Sequence, residues 1–335
     1  MATQTPWAPN LTRPHWGGAD SDQDIHLEIY ESGVDTRFQA TSIFTSLSMQ
    51  RSVQDKSNTL RIDRLGTSSV KGRRSGEKLE ATRVPNDKML IVVDTVLYIR
   101  NPIDWQDEWT GPDFLNQMAQ NNGSEFAEAF DQAHAIQAIK ARDWKAPEHL
   151  KPGFKDGMLV KCAVKGDAST QAELEANAIN INAAHAAGVN ELIKRKVPLN
   201  DMITLIDPVY YAYLLEHPKL MNVQFGQTNS DGYKQRRVVT MNGIPVVEFT
   251  EFPQDAISDH PLGTAFNVTA EDAKCKMITF SKSKSLVTVE AKPFTSSKWP
   301  DPENFCDVLD CYAMYTVEPR RPDTIVVTQF TEAGA

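Results

Sequence analysis

With 335 residues, of which 41% are hydrophobic and 24% charged, the chain is long enough for one large core or two smaller ones. It has no run of roughly 18 apolar residues, so no membrane span is expected. The formal net charge of −9 argues against a chain whose main task is gripping nucleic acid, while allowing one that encloses it.

The opening MATQTPWAPNLTRPHWGGAD has no positive flank and no apolar core, so it reads as no secretion signal, and a cytosolic chain is expected. Residues 1–40 are rich in Pro, Gly, Asp, Ser and Thr, with Trp7 and Trp16 as isolated aromatics. This composition predicts an arm that orders only against something else. From Asn58 to Leu65 the alternation in NTLRIDRL predicts a strand. A polar stretch with three glycines follows. Lys88 to Arg100, KMLIVVDTVLYIR, then reads as one long strand stopped at Asn101-Pro102. Two strands bracketing so polar a stretch predict a two-stranded finger.

Past Pro112 the apolar residues Phe114, Leu115, Met118, Phe126, Phe130, Ala133, Ile136 and Ile139 recur at three- and four-residue steps. A long amphipathic helix is expected from about 112 to 144, with Gly123 as its weak point. A second helix opens at Ser169-Thr170, with Glu173 at capping-box spacing, and runs to the basic end Lys194-Arg195-Lys196. Met202–Ile206 predicts a short strand, and Asp207-Pro208 an N-cap and first-turn proline for a helix ending at His217-Pro218. Arg237–Phe249 reads as a hairpin around Asn242-Gly243. Further strands are expected at Ser285–Ala291, Phe305–Val317 and Thr324–Thr328. The fold class is α+β.

Signals for chemistry are weak. Cys162, Cys275, Cys306 and Cys311 form no Cys-x-x-Cys pair, and the seven histidines include no pair at i, i+4. The stretch Gly72–Lys78 lacks the phosphate-loop spacing. Asp104, Asp107 and Glu108 read as acids before a helix start rather than as a metal cluster. No catalytic residue, cofactor or metal is expected. Charge is unevenly placed, however. Residues 56–88 hold nine Lys or Arg against four Asp or Glu, a balance of +5. Residues 104–131 hold seven Asp or Glu and no Lys or Arg, a balance of −7. A cationic finger lying across the acidic helix of another copy is one reading of this contrast, and two solvated surfaces is the other.

Three passages resemble a known family. TSIFTSLSMQRSVQDKSNTLRIDRLG from Thr41, followed by SGEKLE with its Gly76-Glu77 pair, is similar to the arm-to-finger passage of tailed-phage major capsid proteins of the Hong Kong 97 type. LIDPVYYAYLL from Leu205 and NGIPVVEFTEFP from Asn242 resemble their axial domain. NFCDVLDCYAMYTVEPRRPDTIVV, from Asn304 to Val327, resembles their closing strands. The likeness spans about residues 37–330 and is strongest to the short-tailed podoviruses.

The resemblance implies an arm (1–40), an extended loop with its flanking strands (41–90), a peripheral domain with a spine helix (91–165), an axial domain (166–300) and strands returning to the peripheral domain (301–335). It implies a non-enzymatic subunit that self-assembles into hexamers and pentamers. These would form an icosahedral head around double-stranded DNA, bound without sequence specificity and with no membrane. Scaffolding and portal proteins would be its partners, and the shell would be put together in the host bacterial cytoplasm. The finger contacts would be Arg61, Arg64, Lys71, Arg73, Arg74 and Glu77. On the spine helix they would be Asp113, Glu125, Glu128 and Asp131. An encapsulin-like cargo shell is the alternative within the fold, and a cytosolic enzyme the distant one. Some members of the family cross-link Lys to Asn, but no motif here identifies such a pair.

Overall fold

The computed structural model describes residues 42–53, 57–108, 114–151, 153–217 and 240–332, with backbone alone for 107–108 and 114–117. The expected arm, Pro112 and Asp113, and the first residues of the expected hairpin lie outside them.

Strands β1 (Met49–Ser52), β2 (Thr59–Leu65), β3 (Asn86–Val92) and β4 (Leu97–Asp104) open the described chain. A short helix α1 (Trp105–Glu108) and the spine helix α2 (Phe114–Lys140) follow. Next come β5 (Met158–Val164), α3 (Gln171–Lys194), β6 (Met202–Ile206), α4 (Pro208–Leu215), β7 (Thr240–Met241) and β8 (Ile244–Glu248). The chain closes with α5 (Ala270–Ala273), β9 (Cys275–Ser281), β10 (Leu286–Asp301), β11 (Cys306–Pro319) and β12 (Ile325–Glu332).

These strands form three sheets: a four-stranded sheet in the order β1-β10-β11-β4, a six-stranded sheet β5-β12-β9-β6-β8-β7, and the ribbon β2-β3. The inner strands β6, β9 and β12 of the six-stranded sheet are buried on both faces and show no alternation, whereas its edge strand β5 alternates between inward and exposed residues. In β9, Ile278 and Phe280 join the large core that also holds Phe130 and Ile136 of α2, whereas Met277 joins Ile181 of α3 and Leu214 of α4. β10, inside the span expected to be axial, pairs with β11 in the four-stranded sheet, while β12 pairs with β5 and β9 in the six-stranded one.

Two expectations are corrected here. The run 88–100 is not one strand: β3 pairs with β2 in the ribbon, and β4 pairs with β11 in the sheet. The break falls at residues 93–96, where Val93 is buried against Val287 and Val289 and turns the chain from one sheet to the other. Nor does Pro102 end the strand, because β4 is a sheet edge and a missing N–H costs nothing on the open side.

The spine helix is continuous through Gly123, a residue worth about 1 kcal/mol against alanine in a helix interior. From Ala133 to Ile139 every residue is buried, so this half has no polar stripe and is held by packing on all sides. α3 begins as expected: Glu173 Oε2 accepts the backbone N–H of Thr170 (3.3 Å) and Ser169 (3.1 Å). The Lys165 ammonium beside it, with those two N–H groups, pulls the Glu173 carboxyl down to about 2. In α4 the Asp207 side chain caps the N–H of Val209 at 3.0 Å. Asn242 (φ 51°) and Gly243 (φ 80°) give the β7–β8 turn its left-handed pair.

Candidate assembly surface

The finger alternates strictly. On its inner face Leu60, Ile62, Met89 and Ile91 pack on Val287 and Val289 of β10. A two-stranded ribbon is marginal alone, so this inner face supplies the stability the ribbon lacks. The outer face carries Arg61, Asp63 and Lys88 together with Leu65 and Leu90, which are 67% and 64% exposed. Beyond the ribbon every residue from Thr67 to Val84 is exposed.

Local bonds shape this tip. Gly66 N donates to Pro85 O at 2.8 Å, closing the neck. Lys71 pairs with Glu80 at 2.9 Å. At the far end Glu77 N donates to Arg74 O (3.2 Å), and the Glu77 carboxylate accepts Arg74 N (3.0 Å). Gly76 sits between them at φ 93°, the region the third residue of a type II turn requires. The Gly76-Glu77 pair therefore makes the fingertip turn. Glu77 acts within its own loop, and Arg73 also donates to the Glu77 carbonyl, at 2.5 Å.

Arg64 belongs to the finger's root rather than to its free surface. Its guanidinium donates to Pro319 O at 3.2 Å and lies over the Trp144 ring, 5.6 Å from the centroid. Burial lowers its pKa, against the raising effect of Asp87, Glu318 and Asp323. Next to it, a Cβ on Gly153 would stand 2.6 Å from Thr67 Oγ1, so finger and body approach as closely as a glycine allows.

The expected acidic partners on the spine helix divide in the same way. Glu125 and Glu128 are exposed. Burial, then Glu251 and Glu125, push the Glu128 carboxyl up. Glu251, from the loop after β8, thus joins this acidic patch, and nothing in the sequence placed it there. Asp131 is corrected: only 4% exposed, it accepts Ser42 Oγ (2.7 Å), Ile43 N (2.8 Å) and Phe44 N (3.2 Å) from its own chain. Desolvation raises its pKa against those three bonds. It anchors the start of the described chain to the spine, seating Phe44 against His134, and is not open to a neighbour. Asp113 lies outside the described residues.

Two histidines are fully packed. His134 Nδ1 faces Phe130 O and Nε2 faces Thr288 Oγ1, both at 2.7 Å. The carbonyl only accepts, so Nδ1 carries the proton and Nε2 accepts from Thr288, whose hydroxyl then accepts from Ser48 (2.6 Å). His185 Nδ1 accepts Asn242 Nδ2 at 3.0 Å and Nε2 donates to Thr204 Oγ1 at 2.8 Å. Burial depresses both imidazoles to about 4. Neither has an open face for a substrate. The four cysteines are buried, and among the described residues no group of three or more His, Cys, Asp or Glu is placed to hold a metal ion. No described helix is long and apolar enough to cross a membrane.

What remains is a body with a projecting, cationic and partly apolar finger and an exposed acidic patch on its spine. Compared with solved structures, the chain is 44% identical to the mature capsid subunit of bacteriophage PhiM1, over 99% of this chain and 100% of that one, with a TM-score of 0.76. The chain belongs to the bacteriophage major capsid proteins. It is therefore a structural component of an icosahedral head, and its α+β body is the Hong Kong 97 fold. The cyanophage P-SCSP1u capsid shares that fold at 19% identity and a TM-score of 0.71, covering 87% of this capsid protein and 89% of its own chain. A virus-like particle subunit from Pyrococcus furiosus shares it at 12% identity and a TM-score of 0.53, covering 91% and 99%. No family model and no curated protein matches the chain.

Proposed function

We propose that this capsid protein assembles as hexamers and pentamers that close around double-stranded DNA, with the finger of each copy lying over the spine helix of the next. The full-length likeness to the PhiM1 capsid subunit carries this reading. The placement of charge supports it: Arg61, Arg73 and Arg74 stand on a finger whose outer face and tip are exposed, and Glu125, Glu128 and Glu251 stand on or beside the spine. Many screened contacts of this kind fix register and partner choice more than affinity, which suits a shell that must correct misplaced subunits. The net charge of −9 suits a wall that encloses phosphates without holding them.

Scaffolding and portal proteins are the further partners in this reading, assembly takes place in the host cytoplasm, and the subunit catalyses nothing. Electron microscopy of the expressed protein, alone and with a scaffolding protein, is the direct test. Closed shells or capsomer rings are the expected result, and a protein that stays monomeric at every concentration would refute the proposal. An encapsulin-like cargo shell is the second reading within the fold, and the 44% identity to a phage capsid subunit favours the first. Packaged DNA, rather than a cargo protein, in purified particles separates the two.

A further inference from the structure

We infer that Leu79, at the tip of one copy's finger, seats in an apolar groove beside the spine helix of a second copy. The inference rests on the shell reading above and adds the residue-level fit. The groove, with a volume of about 250 Å³, lies between β4, the spine helix and the turn at residues 260–262. That is smaller than the roughly 300–1,000 Å³ of ordinary ligand sites and matches a side chain better than a substrate. Leu97, Ile99, Phe126, Ala129 and Leu262 line it, and Glu125 stands among them as its one acidic residue.

Leu79 is 83% exposed in its own subunit, so it does not fill its own groove. Each copy thus carries an apolar knob and an apolar recess that do not satisfy one another within the chain. A knob on one part of the surface and its recess on another make a head-to-tail contact, the kind that closes rings. Charge favours a finger as the occupant: residues 56–88 carry a balance of +5, Leu79 lies between Lys78 and a Glu80 already paired with Lys71, and the groove is lined by Glu125, whose charge acts on Glu128. Tyr98 in the groove wall is 69% exposed, leaving an aromatic surface for the arriving tip. Full burial of a leucine side chain corresponds to about a ten- to hundredfold gain in association per contact.

The test uses full-length chain carrying Leu79→Cys and Ala129→Cys together, oxidised mildly after assembly. The four native cysteines are buried and do not compete. A ladder of disulfide-linked dimers and larger species on a non-reducing gel is expected, absent from either single variant. As a second measure, Ala129→Trp plugs the groove from within. It is expected to keep a cooperative monomer melt while weakening association about tenfold or more. Double-variant shells that form yet give no ladder, or normal shells from Ala129→Trp, overturn the groove assignment and leave the shell reading intact. A parent chain that never associates overturns both.

Discussion

Asp131 and His134 are a turn apart on the spine helix and hold the chain's entry from two sides, one by accepting three donors, the other by closing a relay through Thr288 to Ser48. Removing the carboxylate strands those donors in a nearly closed site. Asp131→Ala is expected to cost about 2–3 kcal/mol, read as a lower urea midpoint of the isolated subunit. The histidines predict an acid sensitivity with a definite sign. His185 is depressed from 6.5 to about 4, so the unfolded chain binds its proton first. Its stabilising share is full above pH 6.5, is lost progressively as the pH falls towards 4, and amounts to about 3 kcal/mol at most. His134 acts in the same direction. Asp131, Glu290 and Glu318, all raised by burial, act in the opposite one. Urea midpoints at pH 7 and pH 5 are expected to differ less in His185→Gln than in the parent. An unchanged difference would mean that this ring does not titrate between the two states. At this scale the sequence said little, because a buried acid and a surface acid are the same letter. Glu128 and Asp131 differ in what folds over them: Ser42 to Phe44 and the body of the subunit cover one and leave the other exposed.

Among elements, the finger was the most legible, since period-two alternation on both sides of a polar, glycine-rich stretch has few other solutions. Its outer face and tip are where charge reversal belongs. Arg61, Arg73 and Arg74 are exposed, whereas Arg64 is held at the root. The triple change of those three to glutamate is expected to leave the subunit's melt within about 0.5 kcal/mol while preventing normal shells, as seen by sedimentation and microscopy. Arg64→Glu added to the set would confuse the result by loosening the root. The sequence reading missed β1, β5 and β9 and saw less than half of β10. β9 is buried at all seven positions, and a strand covered on both faces shows no alternation to find. β10 runs on through Pro293 and Pro300, with register shifts between Glu290 and Thr295, at positions where prolines and bulges read as breaks. The helices α3 and α4 came through because their caps are local chemistry, Thr170 with Glu173 and Asp207 before Pro208, whereas the four-residue α1 and α5 were not read.

For the molecule as a whole, the described body is closed without its first 41 residues, its cores lying between the two larger sheets and the helices α2, α3 and α4. Deletion of residues 1–30 is accordingly expected to spare the fold of the subunit and its cooperative melt. Any shells that form should fall apart at lower temperature or denaturant than the parent's, a comparison that light scattering makes directly. A truncated subunit that melts far below the parent would instead assign the arm to the core.

The finger's attachment has a mechanical consequence. Its two strands do not spring from one point: β2 follows β1 on one border of the four-stranded sheet, and β3 leads into β4 on the opposite border, with β10 and β11 between them. The finger is thus slung like a strap between the two sides of a plate. In the proposed assembly, a neighbour's pull on the strap's end would divide between both sides and reach the long central hairpin as shear across many hydrogen bonds at once, rather than peeling them singly. A shell built this way and pressurised from within would pass tension from subunit to subunit through β10 and β11.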